Sequence, residues 1–184
     1  AGNIYHTVQV GTQCWLKENM RYDNGCSSKT WVNYQDVGWC GQYPGSVLAE
    51  EGLLYQWSAA MNGSTTEGAQ GICPTGWHIP KDSEVFILES YLTLNTCNQN
   101  RIDWGCSPAA SKMAGDASIK WPSGSAITNT NYFNASGLKI LPTGIMTAEG
   151  VPYGRGYTTR LISSTSGWHV RYLYDHEMRL YRHL

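Results

Sequence analysis

The sequence predicts an α+β fold: a loop-rich chain in which two short helices pack on small antiparallel sheets. Three observations lead there. A helical period of apolar residues is confined to one short stretch beyond Pro80, where Val85, Phe86, Leu88 and Leu92 share a face. Short alternating runs rich in Thr, Tyr and Ile follow one another from Gly156 to the C-terminus. Between them lie 20 glycines and many Ser, Thr and Asn residues, which favour turns over long elements. At 184 residues, with no linker or internal repeat, the chain is expected to form one domain over 1–184.

Taken in order, Thr7-Val8-Gln9-Val10 alternates, meets Gly11-Thr12, and is followed by the apolar run Cys14-Trp15-Leu16: a hairpin, expected at the N-terminal edge of the sheet. Arg21 to Gly45 carries turn formers and no sustained period, so it reads as loop. Gly52 to Trp57 reads as a strand and Ser58 to Met61 as helical. The stretch from Gly71 to Leu92 is the one around which the rest is arranged. Pro80 biases Ile79 toward extended backbone, and Asp82 or Ser83 can accept from the free N–H groups of a first turn, so a helix is expected to start near Asp82. Pro108 opens a second helix, Ala109 to Met113, stopped by Gly115. Trp121 to Tyr132 is loop, and Leu138 to Leu141 reads as a strand entering a turn at Pro142-Thr143-Gly144. The last segment reads as strands around turns at Ser166-Gly167 and Asp175-His176-Glu177.

Net charge is −1 and only 15% of residues are charged, which excludes a broad attraction to nucleic acid or anionic lipid. No apolar run approaches the ~20 residues that cross a bilayer, so no membrane insertion by this chain is expected. No cleavable signal stands at Ala1, which suggests a mature or trimmed form. Eight Trp and twelve Tyr against two Phe favour polar-tipped rings, suited to half-wet binding surfaces.

Six cysteines without a CxxC pair point to disulfides and an oxidising, extracytoplasmic setting. Cys97 and Cys106 bracket one polar loop, and Cys26 and Cys40 another; closing each contributes about 3 kcal/mol. Cys14 and Cys73 are the remaining candidates. Spacing does not fix connectivity, and free buried thiols are the alternative.

The tempting metal constellation is Tyr174-Asp175-His176-Glu177 with His169 and His183, at seven-residue intervals. In strands an odd interval reverses the face, so a polar hairpin tip is expected there and no metal. His78, between Trp77 and Ile79, is expected to be structural. No Gly-x-Ser-x-Gly elbow, phosphate-cradling loop or His-Glu-x-x-His occurs, and no cofactor is expected. Asn62-Gly63-Ser64 and Asn134-Ala135-Ser136 fit the glycosylation sequon and are read as structural. In the final strands Trp168, Val170, Tyr172 and Tyr174 should point one way, and His169, Arg171, Leu173 and Asp175 the other.

Cys73-Pro74-Thr75-Gly76-Trp77-His78-Ile79-Pro80 resembles the CPSGWHLP signature of the Fibrobacter succinogenes major paralogous domain. Thr7 to Asp23, Gly52 to Met61, Ala109 to Gly115, Asn134 to Gly144 and Gly154 to Thr165 resemble that family's blocks in its order. The resemblance implies a C-type-lectin-like fold related to the formylglycine-generating-enzyme type. That enzyme chemistry needs a reactive cysteine pair late in the chain, and none follows Cys106. The acidic-Pro-Asn or Gln-Pro-Asp loop and the Trp-Asn-Asp strand of calcium-dependent sugar-binding relatives are also missing. Domains ending in this fold's last strands look like the variable proteins of diversity-generating retroelements, whose C-terminal region is rewritten at template adenines. The family's usual closing block, like YGFSVRCVKD, is not found after His183-Leu184.

Together these readings predict a non-enzymatic, surface-displayed or extracellular monomer, on a cell envelope or virus particle, that binds an unidentified protein or surface ligand through its C-terminal strands. The candidate ligand-binding residues are Tyr157, Thr159, Trp168, His169, Arg171, Tyr174, Asp175, His176 and Glu177. The alternatives are a structural or adhesive cell-envelope module without diversification and, behind it, an enzyme of the formylglycine-generating type needing a metal or reactive thiol.

Overall fold

Residues 2–167 and 169–183 are described by a computed structural model. In chain order the elements are β1 (Thr7–Val10), β2 (Gln13–Leu16), β3 (Cys40–Gly41), α1 (Leu48–Glu51), β4 (Leu54–Tyr55), α2 (Trp57–Ala60), α3 (Asp82–Leu92), β5 (Asp103–Gly105), α4 (Ala109–Met113), β6 (Ile145–Met146), β7 (Pro152–Tyr153), β8 (Thr158–Ile162), β9 (Val170–Tyr174) and β10 (Leu180–His183). This is the expected α+β composition of few helices and small antiparallel sheets. The main sheet is four-stranded, in the order β5-β10-β9-β8; three two-stranded ribbons, β1-β2, β3-β4 and β6-β7, stand beside it.

The N-terminal hairpin forms as read, with Val8 opposite Trp15. Gly11 sits at φ +62, and a Cβ there would meet the Tyr91 ring at 2.9 Å, so both backbone and packing require glycine. The hairpin pairs with itself alone and is not the edge of the main sheet, which corrects the expectation.

Helix α3 begins where Pro80 and Asp82 place it. Lys81 donates its N–H to the Glu84 carboxylate at 2.8 Å, and His78 Nε2 meets the same carboxylate at 2.9 Å, which gives that histidine a structural role. The Asp82 N–H is taken by Thr165 Oγ1 at 2.9 Å, so the turn after β8 caps the helix. Val85, Leu88 and Leu92 are buried, with Glu89 among them. Residues of α4 pack against this face, and Ala109, Ala110 and Met113 are fully covered.

The strand expected over Leu138 to Leu141 is absent. Lys139 takes φ +60, in the left-handed region and away from extended backbone, and a single parallel bridge from Ile140 to Ala114 is what remains. Two disulfides close the bracketed loops, Cys26–Cys40 and Cys97–Cys106. Cys14 and Cys73 are unpaired, which corrects the third pairing: Cys14 is exposed on the hairpin, whereas Cys73 packs beside Ile72 and Ile79. Burial pushes the Cys73 thiol up to about 11. Among the described residues no helix is long and apolar enough to cross a membrane.

Candidate ligand-binding face

Strands β8, β9 and β10 alternate, and the alternation sorts their side chains into two layers. Arg160, Tyr172, Tyr181 and Trp104 are mutual cross-strand partners, one from each of β8, β9, β10 and β5, so they form a single row across the whole sheet. All four are half-buried. Tyr172 and Tyr181 lie 6.0 Å apart, Tyr181 and Trp104 5.2 Å, each edge to face. Tyr174 extends the row, stacked on Tyr172 at 5.8 Å and edge-on to Trp104 at 5.6 Å. Guanidinium groups close both ends, Arg160 over Tyr172 at 6.0 Å and Arg179 over Trp104 at 5.7 Å. Burial, followed by the neighbouring tyrosines, raises the Tyr174 phenol above its ordinary value, so this group is an O–H donor at neutral pH.

The layer beneath is charged and dry. Arg171 Nε donates to Glu89 at 2.6 Å and its Nη1 to Asp82 at 2.7 Å. Arg182 donates to the other Asp82 oxygen at 2.5 Å and to the carbonyls of Gln99 and Arg101 at 2.7 and 2.8 Å. Arg101 grips Glu89 at 2.9 Å. Burial works against a charged Asp82, but Arg182 and Arg171 outweigh it and hold the carboxyl below its ordinary range. Such a network locks α3, β9, β10 and the Cys97–Cys106 loop in one relative position, because any displacement strands a buried ion.

The structure separates the sequence-predicted residues. Tyr174 lies on the face; His176, exposed beside it, is 5.4 Å from Tyr174 and 6.2 Å from Trp104. Asp175 meets His176 at 3.2 Å, and Glu177 is paired with Arg179, so this turn offers no set of free carboxylates to a cation. Tyr157 is 59% exposed. His169 is half-buried, its Nδ1 2.7 Å from the Ser166 carbonyl. Two candidates are corrected: Arg171 is 2% exposed, spent on Asp82 and Glu89, and Thr159 is 4% exposed, its hydroxyl paired with Thr143. Neither can touch a ligand on this face. Trp168 lies outside the described residues. Sequence reasoning missed Trp104, Arg160, Tyr181 and Arg179 and did not select Tyr172; the available signal was the repeat of aromatic-apolar-aromatic and aromatic-Arg-His alternation in β9 and β10.

Among the described residues two clusters bring metal-ligand atoms together, Asp23 with Cys26 and Cys40, and Glu89 with Cys97 and Cys106. In each both sulfurs are spent in a disulfide, and a disulfide sulfur is not a thiolate ligand.

A family model described as Fibrobacter succinogenes major domain matches residues 8–171. The chain belongs to that family. The match runs from the N-terminal hairpin to the second residue of β9. Within this Fibrobacter succinogenes major domain, Trp104 and Arg160 of the face are inside the matched segment, and Tyr172, Tyr174, His176, Arg179 and Tyr181 lie beyond it. Comparison with curated proteins and with solved structures finds no match.

Proposed function

We propose that this chain is a non-enzymatic ligand-binding domain of C-type-lectin-like fold, displayed outside the cell or on a particle surface, and that it is the variable protein of a diversity-generating retroelement. One observation carries the reading: the row Arg160, Tyr172, Tyr181, Trp104 spans all four strands as a half-exposed aromatic surface, over a buried layer that does not share its residues. Tyr, Trp and Arg supply contact area with polar tips, and a preordered sheet spares the ligand the cost of immobilising them. Because packing and ion pairs sit in the other layer, outer residues can be exchanged without disturbing the frame. The two disulfides support the extracellular setting.

The genetic code supports the retroelement part. Codons for Tyr, His, Asp and Asn share their second base and pyrimidine third base and differ at the first. Of the outer and tip positions, Tyr172, Tyr174, Asp175, His176, Tyr181 and His183 draw on this set and Arg160, Glu177 and Arg179 do not, whereas none of the buried positions Val170, Arg171, Leu173, Leu180 and Arg182 does. Rewriting a template adenine at the first codon base produces that pattern. The test is the neighbouring DNA: a near-copy of the segment encoding Gly156 to Leu184, with AAC or AAT at those positions and a reverse transcriptase gene beside it. A neighbourhood with no such copy removes the retroelement and leaves an ordinary paralogous binder.

A second reading, a structural or adhesive envelope module, is favoured by Ile87 and Tyr91, 48% and 57% exposed one turn apart on α3. Sedimentation across a hundredfold concentration range separates the two. A monomer throughout supports the binder; an oligomer that shields the aromatic row supports the module.

A further inference from the structure

The core is divided. One cluster gathers Leu88, Met113, Leu138 and their neighbours, and a second gathers Ala60, Ile72 and Ile79; the two do not merge. Between them lies a cavity of about 610 Å3, lined by residues of β8 and of β2 and by Trp77 among others. It is distinct from the aromatic row, sharing Arg160 alone with it. Cavities of this size accommodate small organic ligands.

Its chemistry narrows the occupant. The buried wall is apolar except for Thr143 and Thr159, each 4% exposed, whose hydroxyls face one another at 2.9 Å. Two hydroxyls carry two protons, and the bond between them uses one. Neither hydroxyl makes a further hydrogen bond among the described residues, so one O–H is free to donate. The charged side chains of the lining, Lys17, Glu18, Glu84 and Arg160, are all part-exposed, Glu84 meeting His78 and Glu18 meeting His6. No charged group lies in the interior to compensate an ion.

We propose that this cavity is a binding site for an uncharged, mainly hydrocarbon small molecule that carries one oxygen acceptor, a ketone, ester or ether, seated on the Thr143–Thr159 pair. The site is separate from the aromatic face and stands or falls without it.

The test begins with the folded wild-type chain and N-phenyl-1-naphthylamine. Saturable, single-site fluorescence enhancement is expected, reversed by 2-nonanone. Thr143→Val with Thr159→Val removes both hydroxyls at nearly constant volume and leaves neither unpaired; 2-nonanone should weaken by about tenfold while the naphthylamine is unaffected. Ile162→Trp, which narrows the cavity, should weaken uptake of both, and Tyr172→Ala on the aromatic face should change neither. Should the valine pair fail to fold, magnetisation transfer from 2-nonanone to the Met113 methyl of the wild-type protein provides the decisive reading. Absence of saturable uptake, undiminished uptake by Ile162→Trp, loss of it in Tyr172→Ala, or no transfer to Met113 would each overturn the proposal.

Discussion

Arg171, in the middle of β9, turns away from the aromatic face and places Nε 2.6 Å from the carboxylate of Glu89, a fully buried residue two turns along α3 from Asp82. The residue that looks most like a binding cation is thus the tie between sheet and helix. Replacing it by Met leaves Glu89 and Asp82 short of a partner in a dry interior, a loss of about 3–5 kcal/mol. Thermal unfolding of Arg171→Met should show the largest destabilisation of any single substitution in β9. A change comparable to that of Tyr172→Ala would mean that the ion layer does not hold the frame.

The same layer sets the response to acid. Asp82 is held below its ordinary 3.8 by Arg182 and Arg171 against the opposing effect of burial. A depressed carboxyl contributes stability that is fully present above the unfolded value and is lost as pH falls through the lower folded value. The melting temperature should therefore hold between pH 5 and 7 and fall below about pH 4. Asp82→Asn should melt lower at neutral pH and show a shallower acid limb. An acid limb identical to wild type would remove Asp82 from this role.

Much of this arrangement was legible, and what was not has physical causes. The hairpin and α3 were readable because their periodicity is local and Gly11 and Pro80 punctuate them. Strand alternation correctly put Arg171 and Leu173 opposite Tyr172 and Tyr174. Which layer is covered was not readable, because it depends on contacts distant in sequence; Asp82 and Glu89, seven apart and so on one helix face, were the available clue. Strand β5 was hidden for the same reason: Asp103 takes φ +103, and Asp103 to Gly105 become a strand by pairing with Leu180 to Arg182. Leu138 to Leu141 failed in the opposite direction, since an apolar run does not disclose that Lys139 is left-handed.

If the outer layer is display and the inner layer is frame, they should differ in mutational cost. Tyr172→Ala, Tyr174→Ala and Tyr181→Ala each give up half-buried ring contacts worth about 1 kcal/mol. Denaturant titration of the three single variants should show small, similar losses with unchanged slopes, alongside a large loss for Arg171→Met. A collapse of any tyrosine variant would show that ring to be part of the frame.

The two unpaired cysteines should be chemically unlike. Cys14 is exposed, whereas Cys73 is half-buried with its thiol pushed up to about 11. At pH 8 about one Cys73 in a thousand is thiolate, and the thiolate is the reacting form. Titration with a maleimide under native conditions should label Cys14 rapidly and Cys73 slowly, with both reacting at once in denaturant. Oxidation of the two to a mutual disulfide in the native protein would contradict their separation.

The Cys97–Cys106 bond should matter to the aromatic face, and the Cys26–Cys40 bond should not. The loop closed by Cys97 and Cys106 carries Arg101, which grips Glu89, and the Gln99 and Arg101 carbonyls that receive Arg182. It also contains Trp104, which touches Tyr174, His176 and Tyr181. Freeing that loop restores its chain entropy and loosens β5 from β10, whereas Cys26–Cys40 closes a loop elsewhere, against α2. Replacing either pair by Ser should cost about 2–4 kcal/mol. Hydrogen exchange then discriminates: amides of Asp103 to Gly105 should lose protection in Cys97→Ser with Cys106→Ser and keep it in Cys26→Ser with Cys40→Ser. Equal protection in the two double variants would show that β5 is held by the sheet and the buried arginines alone.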